Sequence, residues 1–144
     1  MTYKRPESVL VVVYSADGRV LLLRRTSPPD FWQSVTGSLA PGEGAHEAAR
    51  RELYEETGLD AEGLEDCGRC NAFAILPAWR HRYRPGVATN TEYVFRLGLQ
   101  APQAVVLDPE EHSEYRWVDK AVALALASSY TNRDAIRDYV PEPG

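Results

Sequence analysis

GSLAPGEGAHEAARRELYEETGL, from Gly37 to Leu59, organises the rest of the chain around it. Its second half is dense in Ala, Glu, Arg and Leu and closes on Gly58, a residue suited to a helix C-terminus, so a helix is predicted over Ala45 to Thr57. At about 100° per residue, or roughly 3.6 residues per turn, Glu52 and Glu56 lie on one line with Glu55 beside them. All three can then converge on one point. Ala45, Ala48 and Ala49 continue that face toward the N-terminus, so small side chains stand where large core residues are the rule. A Glu-rich helical face is often simply solvated. Here, however, like charges at i,i+3 and i,i+4 repel one another, which calls for a cation. Hard oxygen ligands without His or Cys favour magnesium, or manganese, over zinc, and magnesium is usually shared between carboxylates and substrate phosphates. The chemistry implied is displacement at phosphorus by water.

Upstream of this stretch, Ser8 to Tyr14 is a β-branched apolar run that reads as a buried central strand. Asp17-Gly18 supplies a hairpin turn into Val20 to Leu23, and Pro28-Pro29 breaks regular structure before Phe31-Trp32. Downstream, Cys67 to Leu76 and Thr91 to Leu99 read as strands flanking a long loop with Pro85-Gly86, and Tyr115 to Val118 as one more short strand. Asp119 is placed to cap a helix through about Ala127. Thr131 with Asp134 resembles the cap of a last helix ending before Pro141. Strands and helices interleave with no repeat or low-complexity linker, so the expectation is one domain over residues 1–144, α/β or α+β, with helices covering a mixed sheet.

With 144 residues and 44% hydrophobic content the chain can supply one continuous core. It has no apolar run of membrane-spanning length, and Met1 to Glu7 lack the apolar middle of a signal peptide, so a cytoplasmic location away from membranes is expected. A formal net charge of -5, from 21 acidic and 16 basic residues, argues against sequence-independent nucleic-acid binding. The local basic clusters Lys4-Arg5, Arg24-Arg25 and Arg80-His81-Arg82-Tyr83-Arg84 suit a small anion instead. Cys67 and Cys70 have C-x-x-C spacing, but no paired histidines accompany them, so two reduced thiols are expected rather than a zinc site.

Residues 37–59 also fit, at every specified place, the Nudix signature G-x5-E-x7-R-E-U-x-E-E-x-G-U, with U a bulky aliphatic residue. The matching positions are Gly37, Glu43, Arg51, Glu52, Leu53, Glu55, Glu56, Gly58 and Leu59. Seven of these are fixed identities, each at a background frequency of roughly one in fifteen, which makes a chance match very improbable. The chain therefore resembles the Nudix family. That resemblance implies an α/β/α sandwich and a hydrolase that splits a diphosphate linked to some group X. It assigns Glu52 and Glu56 as principal metal ligands, Glu55 as an assistant, and Arg51 with Glu43 as supports. Arg51 itself lies too far around the helix to be a ligand, but a guanidinium can pair fork-wise with a neighbouring acid.

Outside the signature, the segments Tyr3-Lys4-Arg5-Pro6, Phe31 to Gly37, His81-Arg82-Tyr83, Pro85-Gly86-Val87, Asn90-Thr91-Glu92, Glu111-His112 and Asn132-Arg133 are similar to a narrower group, the bacterial dihydroneopterin triphosphate diphosphatases of folate biosynthesis. This likeness implies cleavage of dihydroneopterin triphosphate to the monophosphate and pyrophosphate. It adds Glu111 as a further metal ligand or base. Lys4, Arg24, Arg80, His81 and Arg82 become candidates for the triphosphate, Trp32 or Tyr83 for stacking on the ring, and Thr36, Ser129 and Thr131 for polar contacts. Thr36 stands where many Nudix proteins have proline and Ser38 where they often have a second glycine. A nucleoside triphosphate pyrophosphohydrolase acting on dATP or an oxidised nucleotide is the rival enzyme reading. A non-catalytic nucleotide-sensing module is the rival of another class.

Overall fold

The structure, a computed structural model, describes residues 2–142. Seven strands form one mixed sheet: β1 (Glu7–Ser15), β2 (Arg19–Arg25), β3 (Trp32–Gln33), β4 (Val35–Ser38), β5 (Glu65–Ala74), β6 (Thr89–Leu99) and β7 (His112–Asp119). Three helices cover it: α1 (Ala45–Thr57), α2 (Lys120–Leu126) and α3 (Tyr130–Tyr139). The path runs β3-β2-β1-β6-β5, with β4 also on β1 and β7 also on β2, and β1 with β6 is the parallel pair.

The β-branched run of β1 makes the middle of the molecule because every side chain there is covered. Its odd residues Val9, Val11 and Val13 pack with Leu21, Leu23, Phe95 and α1, while Leu10 and Val12 pack with Val20, Leu22, α2 and α3. Period-two alternation thus feeds two apolar layers, and the α/β/α sandwich follows. Ala48 and Ala49 lie fully buried in the first layer. The small stripe of α1 therefore packs closely on the sheet and leaves no room for ligand along it.

β1 and β2 are in register only at Tyr14 and Val20, beside their hairpin. Beyond it they part. β1 turns to β4, with Val11 opposite Val35, while β2 takes β3 and β7. The sheet is split at this point, and the split exposes residues of both halves to one cleft.

Several local expectations differ: β7 runs His112–Asp119 rather than Tyr115 to Val118, β6 begins at Thr89 rather than Thr91, and Asp119 precedes α2 without a side-chain cap bond. β5 begins at Glu65 and ends at Ala74, two residues earlier at each end than the apolar run suggested, because a bulge between Asp66 and Arg69 carries the pairing past Gly68. α3 is capped by Ser129, whose hydroxyl accepts from the Asn132 amide at 3.2 Å, while Thr131 and Asp134 lie inside the helix. A single 3-10 turn, Pro77–Arg82, organises the first part of the basic loop.

Candidate active site

α1 enters the split with its C-terminal half, and Gly58 ends it with φ 72°, a left-handed conformation that admits glycine without strain. The side chains on its inner edge differ sharply in burial. Glu56 is 1% exposed, and neither of its carboxylate oxygens has a hydrogen-bond partner among the described residues. Burial first, and then the neighbouring Glu52, push its pKa well above the ordinary carboxylate value. Glu52 lies against β4 at Gly37, where a Cβ would come within 2.2 Å of its Cδ. The glycine at this position is therefore a steric requirement of the carboxylate.

Arg51 fixes the helix edge. Its Nε and Nη2 form a fork on Glu43 at 2.9 Å each, its Nη1 donates to Glu52 at 2.7 Å and to Glu55 at 3.1 Å, and Nη2 also reaches the Ser38 carbonyl at 3.0 Å. This charge-assisted set holds the Glu43 carboxyl at a pKa of about 2, mainly through the Arg51 hydrogen bonds. Glu43 in turn accepts from the Ala40 amide at 2.9 Å, so the loop before α1 is tied to its middle. Glu55 is half-exposed on the Arg51 side and does not line the cleft. The expected convergence of three carboxylates reduces to Glu52 and Glu56.

The facing wall comes from the segment leading into β7. Glu56, Glu111 and His112 each offer a ligand atom within 4.8 Å of the others. The His112 Nε2 lies 3.1 Å from the Gln33 amide nitrogen and 3.9 Å from Glu56 Oε1. Burial, followed by Arg25, pushes the His112 pKa down to about 4, so the ring is neutral at neutral pH. Glu111 is raised by burial and then by Glu52.

Glu52, Glu111 and Gln33 line a cleft of about 970 Å³, while Glu56 and His112, each 1% exposed, lie behind its surface. Of the positions expected from sequence, Lys4, Thr36, Gly37, Glu52, Arg82, Tyr83, Glu111, Ser129 and Thr131 line it. Thr36 Oγ1 donates to the Val9 carbonyl at 2.9 Å, so its hydroxyl hydrogen is committed to β1. Arg24, Arg80 and His81 lie outside. Arg24 pairs with Glu114 at 3.3 Å and also donates to the Pro29 carbonyl, and Arg80 leans on the Ile75 carbonyl at 3.4 Å. Trp32 is core, 7% exposed in the layer under α2 and α3, and Arg116 covers its ring at 4.8 Å.

Arg25 takes the place expected of Arg24. Adjacent strand residues face opposite sides, and the β2–β7 register shifts between these two positions. Burial and then Arg82 lower the pKa of both Arg25 and Lys4. Three crowded cations therefore face an acidic edge, an arrangement suited to a polyanion bridged by metal. Trp79 lies near Arg25 (5.4 Å) and Arg82 (5.9 Å) and packs edge-on against Phe31 at 5.9 Å between centroids. Gln33, His112, Trp79 and Phe31 were assigned no role from sequence, and Arg25 only a share in a basic cluster suited to an anion. All but Trp79 sit in a quoted stretch, but the direction of each depends on a short strand, a bulge or a 3-10 turn.

The chain belongs to the Nudix family, hydrolases of phosphoric anhydrides that generally need a divalent metal; the NUDIX domain matches residues 4–139. It is 50% identical, over 96% of its length and 94% of the relative's, to the dihydroneopterin triphosphate diphosphatase of Escherichia coli (strain K12). It is 39% identical to the enzyme of that name from Haemophilus influenzae, over 97% and 90% of the two chains. The solved structure of the E. coli dihydroneopterin triphosphate pyrophosphohydrolase superposes with a TM-score of 0.90 at 48% identity, covering 97% of this chain and 98% of that one.

Proposed function

We propose that this protein hydrolyses dihydroneopterin triphosphate to dihydroneopterin monophosphate and pyrophosphate, with magnesium as its metal and manganese as a substitute. The observation that carries the reading is the pairing of two opposed charge sets in one cleft, Glu52 and Glu111 against Lys4, Arg25 and Arg82. The names of the two curated relatives supply the substrate, and the likeness extends over nearly the whole chain.

The donor set fits a hard divalent cation, because the two buried oxygens of Glu56 are unpartnered among the described residues, Glu52 neighbours them, and Glu111 with His112 offers ligand atoms within 4.8 Å. Glu52 and Glu56 would hold it, with Glu111 at their edge. The chemistry supplied there is neutralisation of phosphate charge and acidification of the attacking water. The remaining steps belong to this chain. Lys4, Arg25 and Arg82 bind the phosphate oxygens that the acids repel and stabilise charge on the departing pyrophosphate. Arg51 keeps Glu52 aimed into the cleft. Glu111, open to the cleft and raised in pKa, accepts the proton of the water as it attacks phosphorus. Glu55 stays bound to Arg51.

Single domain organisation and cytoplasmic residence belong to the same proposal. They are supported by one continuous sheet and by the lack of a helix long and apolar enough to cross a membrane among the described residues. Competitive turnover of dihydroneopterin triphosphate and dATP under equal magnesium tests the substrate. A higher kcat/KM for the pterin is expected, and a higher value for dATP removes the assignment.

A further inference from the structure

The catalytic groups use one part of the cleft. Another part is built by different elements: Ser8 of β1, Asn90 and Glu92 of β6, Thr131 of α3, with Leu10 and Phe73 as apolar walls. Glu92 is 5% exposed and makes no salt bridge among the described residues. What acts on it is burial, which raises its pKa, and hydrogen bonds from Thr131 and Asn71. The Asn71 contact is long, at 3.4 Å. Asn90 is 3% exposed; its amide nitrogen donates to Ser8 Oγ at 2.7 Å, and its Oδ1 has no partner among the described residues. Whichever way that amide is turned, one of its two polar atoms stays unmatched.

A buried carboxylate without a cation, beside an unmatched amide, is costly unless something else completes it. Phosphate cannot, since it carries the same charge. A metal is poorly served by one acid and two amides. Two parallel N–H donors on a flat ring match the two oxygens of a carboxylate, and Leu10 with Phe73 can cover the ring faces.

We propose that Glu92 and Asn90 form the specificity-determining contact for the 2-amino-4-oxo edge of the substrate's fused heterocycle, Glu92 accepting from the ring N–H and the exocyclic amine and Asn90 pairing beside it. The assignment rests on the reading of the substrate given above. Guanine carries the same edge, whereas hypoxanthine lacks only the amine.

The test compares GTP with ITP, and dihydroneopterin triphosphate between wild type and Glu92→Gln. Wild type should favour GTP over ITP by at least about tenfold in kcat/KM, because an analogue lacking a hydrogen-bonding group leaves the site unmatched. Glu92→Gln should level the two, and for dihydroneopterin triphosphate should lower kcat/KM by about tenfold or more, carried by KM with kcat held within about twofold. Equal wild-type turnover of GTP and ITP overturns the proposal without need of a variant. So does a Glu92→Gln loss that falls on kcat and leaves the GTP–ITP ratio intact, which marks a structural role. Failure to turn over dihydroneopterin triphosphate with the GTP preference kept removes the proposed substrate and leaves this subsite standing.

Discussion

A methyl group at position 37 would sit 2.2 Å from Glu52 Cδ, and the atom it meets is the end of a flexible side chain. Gly37→Ala should therefore displace the carboxylate rather than the strand. Steady-state kinetics and a thermal melt separate the two: kcat should fall about 10²-fold, the scale of a roughly 1 Å misplacement, with the melting temperature within a few degrees of wild type. A large loss of melting temperature at full kcat would contradict this. Arg51→Lys tests the neighbouring contact, since an ammonium cannot reproduce a fork that touches Glu43, Glu52, Glu55 and the Ser38 carbonyl together. Its kcat should fall by about tenfold or more. The charges on α1 were legible from spacing alone, but the roles divided by burial. Glu52 and Glu56 face inward, whereas Glu55 serves Arg51, and only packing could assign that.

At the scale of elements, α1 was readable to the residue because its composition, its terminal glycine and its length agree. β1 and β2 were readable because their apolar runs are unbroken. β3 and β4, at two and four residues, are too short to show alternation, and they determine which side chains enter the split. The role of Gln33 was lost for that reason, and the choice between Arg24 and Arg25 was lost at the shift in β2–β7 register that falls between them. The last helix shows the same limit, since its cap is Ser129 rather than the Thr131–Asp134 pair. Ser129→Ala should cost about 1 kcal/mol in a denaturant titration, the usual worth of such a cap; no change would mean that packing alone holds α3. Leu53, fully buried between α1 and the sheet, should cost about 2–5 kcal/mol on replacement by alanine. That loss would exceed any from the exposed Tyr54 beside it.

For the molecule as a whole, Arg51 and Glu43 join the loop after β4 to the middle of α1 and so couple site geometry to acid stability. The folded Glu43 carboxyl has a pKa of about 2 against an ordinary 4.5. A depressed carboxyl pKa contributes stability that is present above the ordinary value and is lost as pH falls through the folded one. The excess stability of wild type over Glu43→Gln, from urea titrations, should therefore hold above about pH 4.5 and shrink toward zero near pH 2. A constant difference would exclude the pair as its source. Sandwich, sheet and helix were legible because apolar patterning spans whole elements, whereas the cleft depends on where two strands part. The central claim is that the acidic edge of α1 does chemistry in that cleft. Pyrophosphate release from dihydroneopterin triphosphate by wild type and Glu56→Gln, over a range of magnesium, tests it most directly. The rate should fall by about 10³-fold at every magnesium concentration while the variant melts at or above the wild-type temperature, because a neutral amide replaces a buried acid whose charged form is disfavoured there. An undiminished rate in the folded variant would contradict the account.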